Sequence, residues 1–148
     1  MSAQDFFTNT EKEDITLAIK NAELDTSGEI RVHVEEKCNG DAKDRAAYLF
    51  KKLNMHETEL RNGVLFYVAV KNRKFAILGD TGINKMVPED FWDNIRDKML
   101  EEFRDGHFAD GLIEGISMAG KQLKEHFPYQ SDDVNELSDE ISFGTDKK

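Results

Sequence analysis

The spacing of apolar residues changes period several times along the chain, and each change predicts a different element. Ile15, Ala18, Ile19 and Ala22 fall at i, i+3, i+4 and i+7, which places them on one face of a helix. Thr10 and Glu13 have the spacing of a capping box, so this first long helix is predicted to start at Thr10; Asp25-Thr26-Ser27-Gly28 supplies its stop. Over residues 29–36 the period drops to two, with Ile30, Val32 and Val34 on one face and Arg31, His33 and Glu35 on the other, as in a strand. Asn39-Gly40-Asp41 then turns the chain into a helix over residues 44–53, whose apolar side carries Ala46, Leu49, Phe50 and Leu53.

Residues 64–70 form an unbroken apolar run, expected of a central strand covered on both faces. Lys71-Asn72-Arg73 is short enough to be a hairpin turn, which makes residues 74–78 an antiparallel neighbour. A polar loop carrying Asp80 and Asn84 follows. Val87-Pro88-Glu89-Asp90 reads as a helix start ahead of an apolar rail of Phe91, Ile95, Met99 and Phe103. After a break at Asp105-Gly106-His107, Leu112, Ile113, Ile116, Ala119 and Leu123 mark a last helix that ends at Phe127-Pro128.

Strand, helix and strand in succession imply a parallel pair joined by a right-handed crossover. The predicted fold is therefore α/β: a three-layer α/β/α sandwich on a small mixed central sheet of about four strands. Three strands are evident, and the fourth is expected from an irregular segment or the tail. Residues 1–128 form one domain, and 129–148 an acidic tail docked at most through Leu137, Ile141 and Phe143.

Charge narrows the functions. A net charge of −10 opposes binding to nucleic acid, whose affinity comes largely from Lys and Arg on phosphates, and to anionic membrane surfaces. It suits divalent cations. The first residues, Met1-Ser2-Ala3-Gln4-Asp5-Phe6-Phe7, lack a basic start and a long apolar core, and the apolar run 64–70 is far below the ~20 residues of a membrane-spanning helix. A cytoplasmic, monomeric protein is expected. Cys38 is the sole cysteine and has no internal disulfide partner.

The strand directions decide which acids are neighbours. With the strands from Glu29 and Gly63 parallel and the next running back, Asp80 lies at the edge where those two begin, and the loop 54–62 arrives there too. That edge is expected to gather Glu29, Glu57, Glu59, Asp80, Asn84 and Asp90, hard oxygen donors suited to calcium or magnesium. Asp25 and Glu89 reach the same edge, while Glu36, Asp41, Asp44 and Asp105 occupy the opposite one. Asp80 and Asn84 fit positions one and five of an EF-hand loop, but Lys85 and Phe91 at six and twelve exclude that motif. They could equally serve as ordinary turn residues, bonding their own loop.

Other chemistries find no support. Asp44 stands where a C-x5-R phosphate cradle from Cys38 requires arginine, the four histidines lack zinc spacing, and neither phosphate-binding glycine motif occurs, so zinc and nucleotide cofactors are not expected.

Four segments together resemble the TPM domain family: Ser27-Gly28-Glu29-Ile30-Arg31-Val32, Asn62-Gly63-Val64-Leu65-Phe66-Tyr67-Val68-Ala69, Gly79-Asp80-Thr81-Gly82-Ile83-Asn84 before Val87-Pro88, and Phe103-Arg104-Asp105-Gly106-His107-Phe108-Ala109-Asp110-Gly111-Leu112. The resemblance implies an α/β/α sandwich, divalent-metal binding and, in thylakoid relatives, acid phosphatase activity. The chain departs from the family's common glycine-x-glycine-x-glutamate loop, with Asn84 where glutamate often falls. Three functions follow: a calcium- or magnesium-binding module of regulatory type, without catalytic residues, whose metal orders two crossing loops; a metal-assisted phosphomonoesterase with Arg61 as its cation; and a metal-independent domain that meets an unidentified protein through Trp92 or the tail.

Overall fold

In a computed structural model, residues 3–24, 26–88, 90–128 and 141–144 are described. The expectations that fall on Asp25, Glu89 and Leu137 lie outside them. The elements run α1 (Ala3–Phe6), α2 (Asn9–Glu23), β1 (Glu29–Glu35), α3 (Ala42–Lys52), a 3₁₀ turn (Met55–Glu57), β2 (Gly63–Ala69), β3 (Lys74–Gly79), α4 (Thr81–Asn84), α5 (Phe91–Arg104), α6 (Phe108–His126) and β4 (Ser142–Phe143). The sheet order is β3-β2-β1-β4. β1 is parallel to β2 and β4, and β3 is antiparallel to β2, so the expected mixed four-stranded sheet is present and its fourth strand comes from the tail.

The layers follow from which side of the sheet each strand makes apolar. Ile30, Val32 and Val34 of β1 with Val64, Phe66 and Val68 of β2 face a large core closed by α2, α5 and α6. Leu65, Tyr67 and Ala69 face the other way, into a smaller core under Ala46, Leu49 and Phe50 of α3. Every residue of β2 is buried, which explains its lack of polar alternation. Ile141 and Phe143 pack on the larger core, so this part of the tail is docked.

Three local expectations shift. The first long helix is capped by Thr8, whose Oγ1 accepts from the Glu11 amide at 3.1 Å while Glu11 accepts from the Thr8 amide at 2.8 Å. Thr8 and Glu11 have the same spacing as Thr10 and Glu13; the earlier pair wins because buried Phe7 anchors the chain immediately before it. Asp41 caps α3 and starts it at Ala42. Pro88 precedes α5, which begins only at Phe91. No described helix is long and apolar enough to cross a membrane.

Phe66 is fully buried between the sheet and α6. Phe66→Ala is expected to cost about 3–5 kcal/mol, measured as a lower denaturant midpoint at unchanged slope.

Candidate functional site

The amino edge of the sheet is built by register. Glu29 pairs with Gly63, and Val64 with Gly79, so the end of β3 arrives where β1 and β2 begin. The Asp80 amide donates to Gly63 O at 3.0 Å and the Gly82 amide to Arg61 O at 2.8 Å, stitching the chain after β3 to the loop before β2. A Cβ on Gly82 would lie 2.2 Å from Leu60 O, so only glycine permits this approach. Arg61 adopts a positive φ of 52° at the same crossing.

What the sequence presents as a polar loop is the short helix α4, capped by Asp80, whose carboxylate accepts from the Thr81 amide at 2.7 Å. The same carboxylate, 4% exposed, takes two bonds from Arg61: Nε to Oδ2 at 2.7 Å and Nη2 to Oδ1 at 2.9 Å. This fork geometry makes the pair directional, and the guanidinium remains 47% exposed. Asn84 is committed as well. Its Nδ2 donates to Gly79 O and its Oδ1 accepts from Trp92 Nε1, each at 2.9 Å. Trp92 thus secures this helix from α5.

The remaining expected ligands do not join Asp80 in a cluster. Glu29 is buried at the start of β1. Glu57 is exposed, 3.8 Å from His56 Nε2, and Glu59 and Asp90 are exposed. Among the described residues no three His, Cys, Asp or Glu side chains converge closely enough to hold a metal ion. Buried beside them, Thr58 Oγ1 and Asn62 Nδ2 have no hydrogen-bond partner among the described residues, and an amide nitrogen is no cation ligand. The donors as arranged do not fit a preformed calcium or magnesium cage.

Comparison with known proteins settles the family. The TPM domain family matches residues 1–122. The chain belongs to the TPM domain family. The solution structure of the BA42 protein from the psychrophilic bacterium Bizionia argentinensis is 47% identical, with a TM-score of 0.88 over 95% of this chain and 97% of that one. Two more distant solution structures share the fold. The N-terminal domain of a protein from P. gingivalis has 20% identity, a TM-score of 0.71 and coverage of 85% of this chain and 83% of that one; that of cg2496 from Corynebacterium glutamicum has 13%, 0.66, 88% and 81%. No curated protein matches.

In this TPM domain the opposite edge carries a second polar constellation that the sequence reading passed over. Tyr67 Oη donates to Glu35 Oε2 at 2.6 Å, Arg45 Nε donates to the same oxygen at 3.0 Å, and Arg45 Nη2 binds Oε1. His33 Nε2 stands 3.6 Å from Oε1. Burial alone would push the Glu35 carboxyl up, but the bonds from His33, Arg45 and Tyr67 outweigh it and hold Glu35 well below the usual carboxylate range. Burial, with the neighbouring Glu35 carboxylate, pushes the Tyr67 hydroxyl up and keeps it a donor. Register held the missed signal: His33 pairs with Tyr67, so His33, Glu35 and Tyr67 share one face of the sheet.

A carboxyl held down in the folded state stabilises the protein above its unfolded value and loses that contribution as pH falls through the folded one. Stability is therefore expected to decline on acidification from about 4.5 downward. The decline should be shallower in Glu35→Gln, measured by denaturant unfolding across pH.

Proposed function

We propose that this TPM domain is a non-catalytic regulatory module whose two crossing loops are latched by Arg61 and Asp80, and that calcium or magnesium acts on it by competing with the Arg61 guanidinium for Asp80. The observation that carries this reading is the asymmetry of the pair. Asp80 is buried with both oxygens engaged, while the cation it holds is half exposed. An incoming divalent ion displaces a side chain that water already solvates, and Glu57 and Glu59, exposed on the adjoining loop, offer further oxygens at little desolvation cost. Affinity is expected to be weak, about 10⁻⁴ to 10⁻³ M, because the guanidinium must first be released.

A phosphatase reading has less support. Arg61, the cation beside the loop that would stabilise transition-state charge, is already neutralised by Asp80.

Calcium titrations followed by amide NMR on the wild type, Arg61→Ala and Asp80→Ala test the proposal. Residues 57–63 and 80–84 should respond in the wild type. Removing the competing cation should tighten binding roughly tenfold, and Asp80→Ala should abolish the response. An unchanged response in Asp80→Ala, or none in any of the three, contradicts it.

A further inference from the structure

The two lateral sides of the sheet differ. On the β1 side, Ser142 and Phe143 pair with His33 and Val34, and the Ile30 amide donates to Glu23 Oε2 at 2.7 Å, so that side is covered. β3 forms the other side, with no strand beyond it among the described residues. It keeps unbroken register with β2 from Lys74 to Gly79, and residues 75–79 include no charge and no proline. A strand of this kind lacks the devices that usually prevent pairing with another chain.

The ladder fixes which backbone groups face outward. The Asp80 amide donates to Gly63 O, so the pairs that bond across to β2 are Leu65–Leu78, Tyr67–Ala76 and Ala69–Lys74. Phe75, Ile77 and Gly79 therefore turn their N–H and C=O groups away from β2. Gly79 O agrees with this direction, since it accepts from Asn84 Nδ2. Among the described residues, no turn, loop or side-chain hydrogen bond reaches the backbone of Phe75 or Ile77.

Water can meet those four groups, so they do not by themselves call for a partner. The surface beside them does. A cleft of about 350 Å³ opens at the end of the strand, walled by Ala47 and Phe50 of α3 and by Leu78 and Gly79. Leu78 is half-buried and Ala47 exposed, so this apolar wall is open to solvent. A strand laid along β3 would send every second side chain to the α3 side, over the cleft. Main-chain pairing combined with a pocket for an alternate side chain is how open strand edges recognise extended peptides.

Charge selects the kind of partner. In a chain with 30 acids against 20 Lys and Arg, residues 71–79 carry Lys71, Arg73 and Lys74 and no acid. Lys51 and Arg61 line the cleft at the far end, where Asp80, the one carboxylate in its lining, has both oxygens engaged. Lys51, Lys71 and Arg73 are exposed and form no ion pair among the described residues. An antiparallel second copy would set the basic start of one β3 against the basic far end of the other. An acidic segment is attracted at both.

We propose that the free edge of β3 is a strand-addition interface for an extended acidic segment of a partner protein. The segment pairs antiparallel with Phe75 and Ile77 and seats one apolar side chain in the cleft beside Leu78. This interface needs no metal and does not rest on the competition at Asp80.

The full chain, with EDTA present, is titrated with the peptide acetyl-Glu-Leu-Thr-Val-Thr-Glu-Glu-amide and followed by amide NMR. Its leucine falls opposite Leu78, its two threonines opposite Ile77 and Phe75, and its last glutamates opposite the basic start of β3. Saturable shifts at residues 75–79 and 47–51 are expected. They should be lost when both threonines are N-methylated, weaken at least tenfold when serine replaces the leucine, and weaken several-fold when lysines replace the glutamates or in Ala47→Glu. No saturable response, or an equal response to the N-methylated or lysine peptide, overturns the proposal. So does a dimer in sedimentation that shifts residues 75–79 without peptide, because the edge then serves a second copy. The peptide comparison on the wild type decides the matter even if Ala47→Glu disturbs α3.

Discussion

The pairing of Val64 with Gly79 in the antiparallel β2–β3 ladder is the constraint on which the functional edge depends. It fixes where β3 ends, and therefore that Asp80 emerges beside the residues that lead into β2. Once there, a buried carboxylate needs a counter-charge and donors, since leaving it bare costs far more than a typical surface pair contributes. Arg61 supplies the charge, the Thr81 amide supplies a further donor, and Gly82 lets the two backbones approach closely. The short helix after β3 and the left-handed turn at Arg61 follow from satisfying that one group.

The opposite edge solves the same problem differently. Glu35 is also buried, but its partners come from a neighbouring strand through Tyr67, a helix through Arg45 and the same face of its own strand through His33. One carboxylate is thus pinned by a half-exposed arginine and the other by a network at the edge of the smaller core. That contrast separates the two edges: at one the counter-charge is half exposed, while at the other the carboxylate is enclosed beneath α3 and the tail.

Much of the fold was legible because burial imposes a period. The alternation of Ile30, Val32 and Val34, the continuous run in β2 and the helical rail of Phe91, Ile95 and Met99 each report a face that must leave water, and the structure buries them all. Features set by single local contacts were harder to read. Two overlapping threonine–glutamate pairs gave the same capping signal, and burial of Phe7 chose between them. The two-residue β4 has too little pattern to register and depends on Ser142 meeting His33. Strand directions were enough to bring Asp80 to the loop before β2. They were not enough to show that Arg61 rather than Glu57 or Glu59 would meet it, because that choice depends on side-chain reach and on a left-handed backbone at Arg61. The His33–Glu35–Tyr67 group was hidden for a related reason: the polar face of β1 looked solvated until α3 and the tail covered it.

A double-mutant cycle on thermal unfolding without metal, comparing the wild type, Arg61→Ala, Asp80→Ala and the double variant, tests the latch most directly. Marked non-additivity is expected, with Arg61→Ala destabilising the wild type and having little effect once Asp80 is gone. Additive effects of the two substitutions would contradict the claim that this pair holds the crossing loops together.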